Sequence, residues 1–158
     1  MYDVTPVTSP GQADCGPTCL KMLLAFYGQD VDLDALTREC KPRLIGCSGA
    51  DLLRAGRAHG LDMRAYQMSA EELLRQDRPA IIWWIKNHWC VFCGQDGQGR
   101  AMICNPDRGR FGLDQGTFKA LYSGIALFNG EPANLPEPAA SEESDLAQAG
   151  RILLGVDV

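Results

Sequence analysis

The stretch "DCGPTCLKMLLAFYG", residues 14–28, constrains this chain more than any other. Leu20, Met22, Leu23, Leu24, Phe26 and Tyr27 point apolar side chains to nearly every side of a helical wheel, and only Thr18 and Lys21 interrupt them. A helix that is apolar all round must lie in the middle of a fold, covered on every face. Pro17 suits its first turn, where no amide donor is needed, and Gly28 is a natural stop. Any fold of this chain therefore wraps a central helix whose mouth carries a cysteine, Cys15, followed by a glycine, Gly16.

The remaining chain supplies the wrapping. With 158 residues, 46% hydrophobic and 22% charged, it has the size and balance of one globular domain with a real core. "DVDLDALTREC" and "SGADLLRAGRAHG" read as two further helices, with Ser48 as N-cap and Gly60 as terminator of the second. A short helix follows at "SAEELLRQ", capped by Ser69. The period then changes: "PAIIWWIK", "HWCVFCG" and "RAMICN" are short, rich in β-branched and aromatic residues and separated by turns, which predicts an antiparallel meander. "LDQGTFKALYSG" predicts one more short helix and "IALF" a last strand. Helices first and sheet second predict an α+β domain over 1–128. The Pro-, Ala- and Glu-rich stretch 129–144 reads as a flexible linker, and 145–158 as a short terminal helix or tail.

Charge and hydropathy exclude several roles. Fifteen Lys and Arg against twenty Asp and Glu leave a net charge of −5, with no basic stripe for nucleic acid. The longest apolar run, Pro79 to Ile85, is too short to span a bilayer, so no integral membrane segment is expected. The start "MYDVTPVTSPG" lacks the basic and apolar parts of a signal peptide. Seven cysteines in a chain with a good core suit a reducing cytoplasm better than a disulfide scaffold.

Cys15 is the first candidate for chemistry. A helix N-terminus carries partial positive charge and unpaired amides, which favour a thiolate and can hold an oxyanion. The alternative is a small buried hydrophobe, a role that suits Cys19 one turn later. A nucleophilic thiol needs a base, and the sequence offers His59 and His88. His59 ends a helix beside Gly60, where a solvated or dipole-capping role is expected. His88 opens a strand, and Asn105 closes the next one within reach of it; the alternative for Asn105-Pro106 is plain turn chemistry. Cys90 and Cys93 form a CxxC within a strand, so they should face opposite sides, and no metal site is expected. Cys40, Cys47 and Cys104 read as core or loop residues, and Trp83 and Trp84 as packing on opposite sheet faces.

Taken in order, "QADCGPTCLKMLLAFYG", "GLDMRAYQ", "RPAIIWWIKNHWCVF", "ICNPDRGR" and "FKALYSGIALF" resemble the C39 peptidase family across residues 8–128. The resemblance implies a papain-like fold and a cysteine peptidase with no cofactor. Its substrate would be a peptide or protein, typically a leader cut after a double glycine. Family members are often fused to an ABC exporter; here the domain is expected to stand without an attached transporter. By position, Cys15 would be the nucleophile, His88 the general base, Asn105 the orienting group and Gln12 the oxyanion-hole residue. The chain departs from the family at two points. Asn105 stands where the family usually has Asp, with Asp107 two residues on. Gln12 lies closer to the cysteine than the family's Gln, and Ser9 occupies roughly that place. Two other readings use the same residues: a deamidase or transglutaminase acting on a Gln side chain, and a C39-like module that binds a peptide without cutting it.

Overall fold

The computed structural model describes residues 1–9, 14–40, 47–85 and 88–133. The central helix α1 spans Cys15–Phe26, with Pro17 in its first turn. It ends where Gly28 takes φ +88°, and the amides of Gly28 and Gln29 return to the carbonyls of Ala25 and Leu24. Helices α2 (Leu33–Cys40) and α3 (Gly49–Ala58) follow. Ser48 caps α3 by accepting from the Asp51 amide while the Asp51 carboxylate accepts from the Ser48 amide. Strand β1 (Met63–Gln67) leads to α4 (Ala70–Leu74), capped in the same reciprocal way by Ser69 and Glu72. Then come β2 (Ala80–Trp84), β3 (His88–Gln95), β4 (Ala101–Asn105), β5 (Gly109–Leu113), α5 (Gln115–Leu121) and β6 (Tyr122–Asn129).

The six strands form one sheet in the order β1-β6-β2-β3-β4-β5, every neighbouring pair antiparallel. The predicted meander is β2 through β4, β5 extends it at the edge, and β6 returns to lie between β1 and β2. Two strands were not predicted from the residues. β1, "MRAYQ", mixes polar with apolar positions, and β5, "GRFGL", carries two glycines. Both are edge strands, which need only one ladder and one covered face.

The sheet separates two cores. On one face α1, α2 and α3 bury Leu20, Leu23, Leu24, Leu52 and Leu53 against Trp83, Trp89, Val91 and Leu127. On the other, α4 and α5 bury Leu73 and Phe118 against Trp84, Phe92 and Phe128, and Phe118 stacks on Tyr122 at 5.5 Å. Each fully buried leucine or phenylalanine contributes about 1.5–3 kcal/mol. Trp83 and Trp84 lie on opposite faces, as do Cys93 and Cys90, as strand alternation requires. Cys40, Cys47 and Cys104 are all buried.

Hydrogen bonding to the domain continues past residue 128. Asn129 pairs with Met63 at the end of the β1–β6 ladder, and the Gly130 amide donates to the Asp62 carbonyl at 2.7 Å. Gln76, buried with 5% exposure, donates to the Ala133 carbonyl at 2.9 Å and accepts from its amide at 2.8 Å. The rest of the linker read over 129–144, and the terminal helix or tail read over 145–158, lie outside the described residues. A chain ended after Phe128 leaves the buried Gln76 Oε1 without its donor and Nε2 with the Glu72 carbonyl alone, and this should cost about 1–3 kcal/mol. A chain ended after Asn134 keeps these bonds. Urea unfolding of the two truncations should show the first as clearly the less stable.

Candidate active site

The start of α1 abuts the start of β3. An added Cβ on Gly16 would meet Cys47 Sγ at 2.3 Å and Leu52 Cδ2 and Trp89 Cδ1 at 3.3 Å. Only glycine lets the helix approach this closely. Trp89 is fixed in turn by its indole N–H, which donates to the Cys47 carbonyl at 3.1 Å. In this contact the Cys15 sulfur receives hydrogen bonds from the amides of Trp89 and Gly16, both of which favour its anion. The sulfur therefore lies against the backbone of the residue that follows His88.

The Cys15 thiol nevertheless sits above its ordinary value, chiefly because burial disfavours the charge. The helix start was expected to lower it. Its amides do pull in that direction, but the packing that brings them to the sulfur also strips it of water, and desolvation outweighs them. The charge on Asp107 pushes the same way as burial.

His88 and Asn105 meet as the strand order predicts: His88 Nε2 lies 2.9 Å from Asn105 Oδ1. The same oxygen accepts the Asp107 backbone amide at 2.7 Å. That amide can only donate, so it fixes which end of the Asn105 side chain faces the ring. An acceptor at Nε2 requires Nε2 to carry the proton, which leaves Nδ1 as the basic nitrogen of the neutral imidazole. The turn chemistry and the orienting contact read as alternatives for Asn105 are thus both present, on one oxygen. The turn is closed by the Arg108 amide on the Asn105 carbonyl at 3.1 Å and by Gly109 at φ +83°. The N-terminal segment ties it down through the Ser9 amide on the Pro106 carbonyl at 2.9 Å.

Asp107 reaches the ring as well, with Oδ2 3.7 Å from His88 Nε2. His59 takes no part: it caps the end of α3 and pairs with Glu39 at 2.6 Å. Gln12 lies outside the described residues. Reading the residues alone missed the Trp89 amide, since a backbone donor leaves no mark in the sequence. It also missed Cys47, whose closeness to Gly16 arises from tertiary packing.

Beneath the site lies a second thiol pair. Cys93 and Cys104 approach to 3.1 Å between sulfurs. Cys104 is drawn down to about 7, first by the hydrogen bond from Cys93 and then by Arg110, while Cys93 is pushed up. Both are fully buried beneath Val4, whose carbonyl accepts from Arg110.

A cysteine at the mouth of a central helix, packed against an antiparallel sheet that presents a histidine, is the arrangement of papain-like thiol enzymes. Residues 4–134 match the Peptidase C39 family, and the chain belongs to it as a cysteine peptidase domain. Among solved structures it is similar to a double glycine motif protease from an AMS/PCAT transporter, crystallised with the leader peptide. The TM-score is 0.76 with 29% identity, covering 80% of this chain and 91% of that one. The peptidase domain of Streptococcus ComA, a bi-functional ABC transporter, shares the fold at a TM-score of 0.74 and 21% identity, over 81% of this chain and 97% of that one. Two Escherichia coli relatives match over 115 residues, 73% of this chain: a probable microcin-H47 secretion/processing ATP-binding protein, 29% identical, and the colicin V secretion/processing ATP-binding protein, 26% identical. The chain spans 16% of the length of each. Among the described residues no helix is long and apolar enough to cross a membrane.

Limiting iodoacetamide at neutral pH, followed by peptide mapping, should label Cys15 before the other six thiols. Cys104 has the lower thiol pKa but is sealed under Val4, whereas the amides of Trp89 and Gly16 favour the Cys15 anion. His88→Ala should slow the labelling of Cys15 at least tenfold while leaving the others unchanged.

Proposed function

We propose that this domain cleaves a leader peptide after a double glycine, with Cys15 as nucleophile, His88 as general base and acid, and Asn105 orienting the imidazole. The observation that carries the reading is the 2.9 Å contact of His88 Nε2 with Asn105 Oδ1, which turns Nδ1 into the basic nitrogen on the strand that touches the Cys15 sulfur. The Cys15 thiol passes its proton to His88 as the sulfur attacks the scissile carbonyl carbon. The resulting oxyanion is held by amides at the helix start. His88 then protonates the leaving amine, and a thioester remains on Cys15. Water, deprotonated by His88, hydrolyses the thioester and restores the thiol. Gln12 is the proposed side-chain donor to the oxyanion.

The substrate class rests on the similarity to the double glycine motif protease and on the secretion/processing names of the two curated relatives. Small residues at the junction suit a cysteine that is only 3% exposed. The proposed setting is cytoplasmic, with an ATP-binding exporter as functional partner for the processed peptide.

The test is mass spectrometry of synthetic leader peptides that carry Gly-Gly or Gly-Ala junctions, with ammonia release followed in parallel. Cleavage after the second glycine, abolished by Cys15→Ala, is the expected result. Asn105→Ala should lower kcat/KM tenfold or more through loss of the fixed tautomer, while Asn105→Asp retains activity. Ammonia release without chain cleavage would replace the peptidase with a deamidase. Equal background for wild type and Cys15→Ala would leave a peptide-binding module.

A further inference from the structure

We infer that Asp107 is a positioning residue that acts by its charge: it supplies the negative field that the neutral Asn105 cannot, and it sets the pH range in which the Cys15–His88 pair works. The inference rests on the proposed roles of Cys15 and His88. It starts from a division of labour visible in one turn. Asn105 makes the directional contact with Nε2 at 2.9 Å but carries no charge. Asp107 brings a carboxylate to 3.7 Å from the same nitrogen, too long for a strong hydrogen bond and short enough for an appreciable Coulombic effect. The two are locked together, because the Asp107 amide donates to the Asn105 side-chain oxygen at 2.7 Å. This bond fixes the backbone position from which the Asp107 side chain reaches the ring.

Other groups facing the pair do not supply this charge. Cys19 on α1, Cys47 before α3 and Cys90 on β3 are each held well above the ordinary thiol value, Cys19 and Cys90 chiefly by burial and Cys47 first by its hydrogen bond with Cys40. All three stay neutral at neutral pH. Asp14 precedes Cys15 but makes no side-chain cap to α1. Arg108 is exposed, and Arg110 is turned toward Val4 and Cys104. Asp107 is the charged side chain that acts on the Cys15 sulfur.

The sign follows from electrostatics. A carboxylate opposes the loss of a proton from the thiol. Its presence moves the pH at which the Cys15 thiolate forms upward. Asp107 thus sets where the reactivity of Cys15 begins. Because the Asp107 side chain is 52% exposed, the field is screened by water and salt, and the expected shift is about half a pH unit.

The experiment measures Cys15 alkylation by iodoacetamide and peptide cleavage from pH 4 to 10 in wild type, Asp107→Asn and Asp107→Glu. Asp107→Asn keeps the backbone bond to Asn105, so the fold is retained. The onset of Cys15 alkylation in the asparagine variant should lie about half a pH unit below wild type, with the plateau little changed. Asp107→Glu should restore most of the shift, and 1 M salt should move wild type toward the asparagine variant. Onsets that coincide in wild type and Asp107→Asn, or a lowered plateau on an unmoved onset, would overturn the inference and reduce Asp107 to a turn residue. The alkylation arm needs no substrate, so it decides the role of Asp107 even where Cys15→Ala shows no loss of turnover and the peptidase reading fails.

Discussion

The close approach of α1 to β3 at Gly16 is the contact on which the site depends. Cys47 Sγ, Leu52 and Trp89 already crowd the space where a Cβ would be, so the helix start packs tightly on side chains from α3, its preceding segment and β3. One packing event thereby brings the Trp89 amide to the Cys15 sulfur and sets His88 one residue away from it. The apolar faces of α1 supply the energy, since Leu20, Leu23 and Leu24 lose all contact with water against α2, α3 and the sheet. Side chains remote from the sulfur thus hold Cys15 against the strand that begins at His88.

A second constraint acts at the far side of the ring. Asn105 Oδ1 accepts two donors, one from the backbone of its own turn and one from His88. The turn holds the amide, the amide holds the imidazole, and the Ser9 amide holds the turn through Pro106. Local turn chemistry has been recruited to fix a tautomer. An Asp at position 105 would accept the same two bonds and add charge; in this chain those two tasks fall to residues 105 and 107.

Much of this was legible in the sequence because the signals were local. The all-round apolarity of residues 20–27, the capping residues Ser48 and Ser69, and the β-branched and aromatic runs of β2, β3 and β4 each point to one local structure. The strand order followed for β2–β4, and with it the meeting of His88 and Asn105. The edge strands β1 and β5 were not legible, because an edge needs neither alternation nor a continuous apolar run. The direction of the Cys15 shift was also hidden. Helix position is a property of the sequence around residue 15, but the degree of burial depends on Cys47 and Trp89, both of which are distant along the chain.

That burial changes how the thiol is to be understood. A cysteine whose anion is disfavoured at rest is mostly protonated in the free protein, and so it is less open to oxidation and stray alkylation than a permanently ionised one. The backbone amides that favour the anion are already in place and need not reorganise. In the proposed mechanism, proton transfer to His88 gives the thiolate an opposite charge, and the ion pair offsets part of the desolvation that burial imposes on the lone thiolate. A nearby but half-exposed carboxylate then shifts that balance by a fraction of a pH unit without adding another buried charge. Burial, preorganised donors and one screened charge together give a thiol that is quiescent alone and ionised as part of a pair.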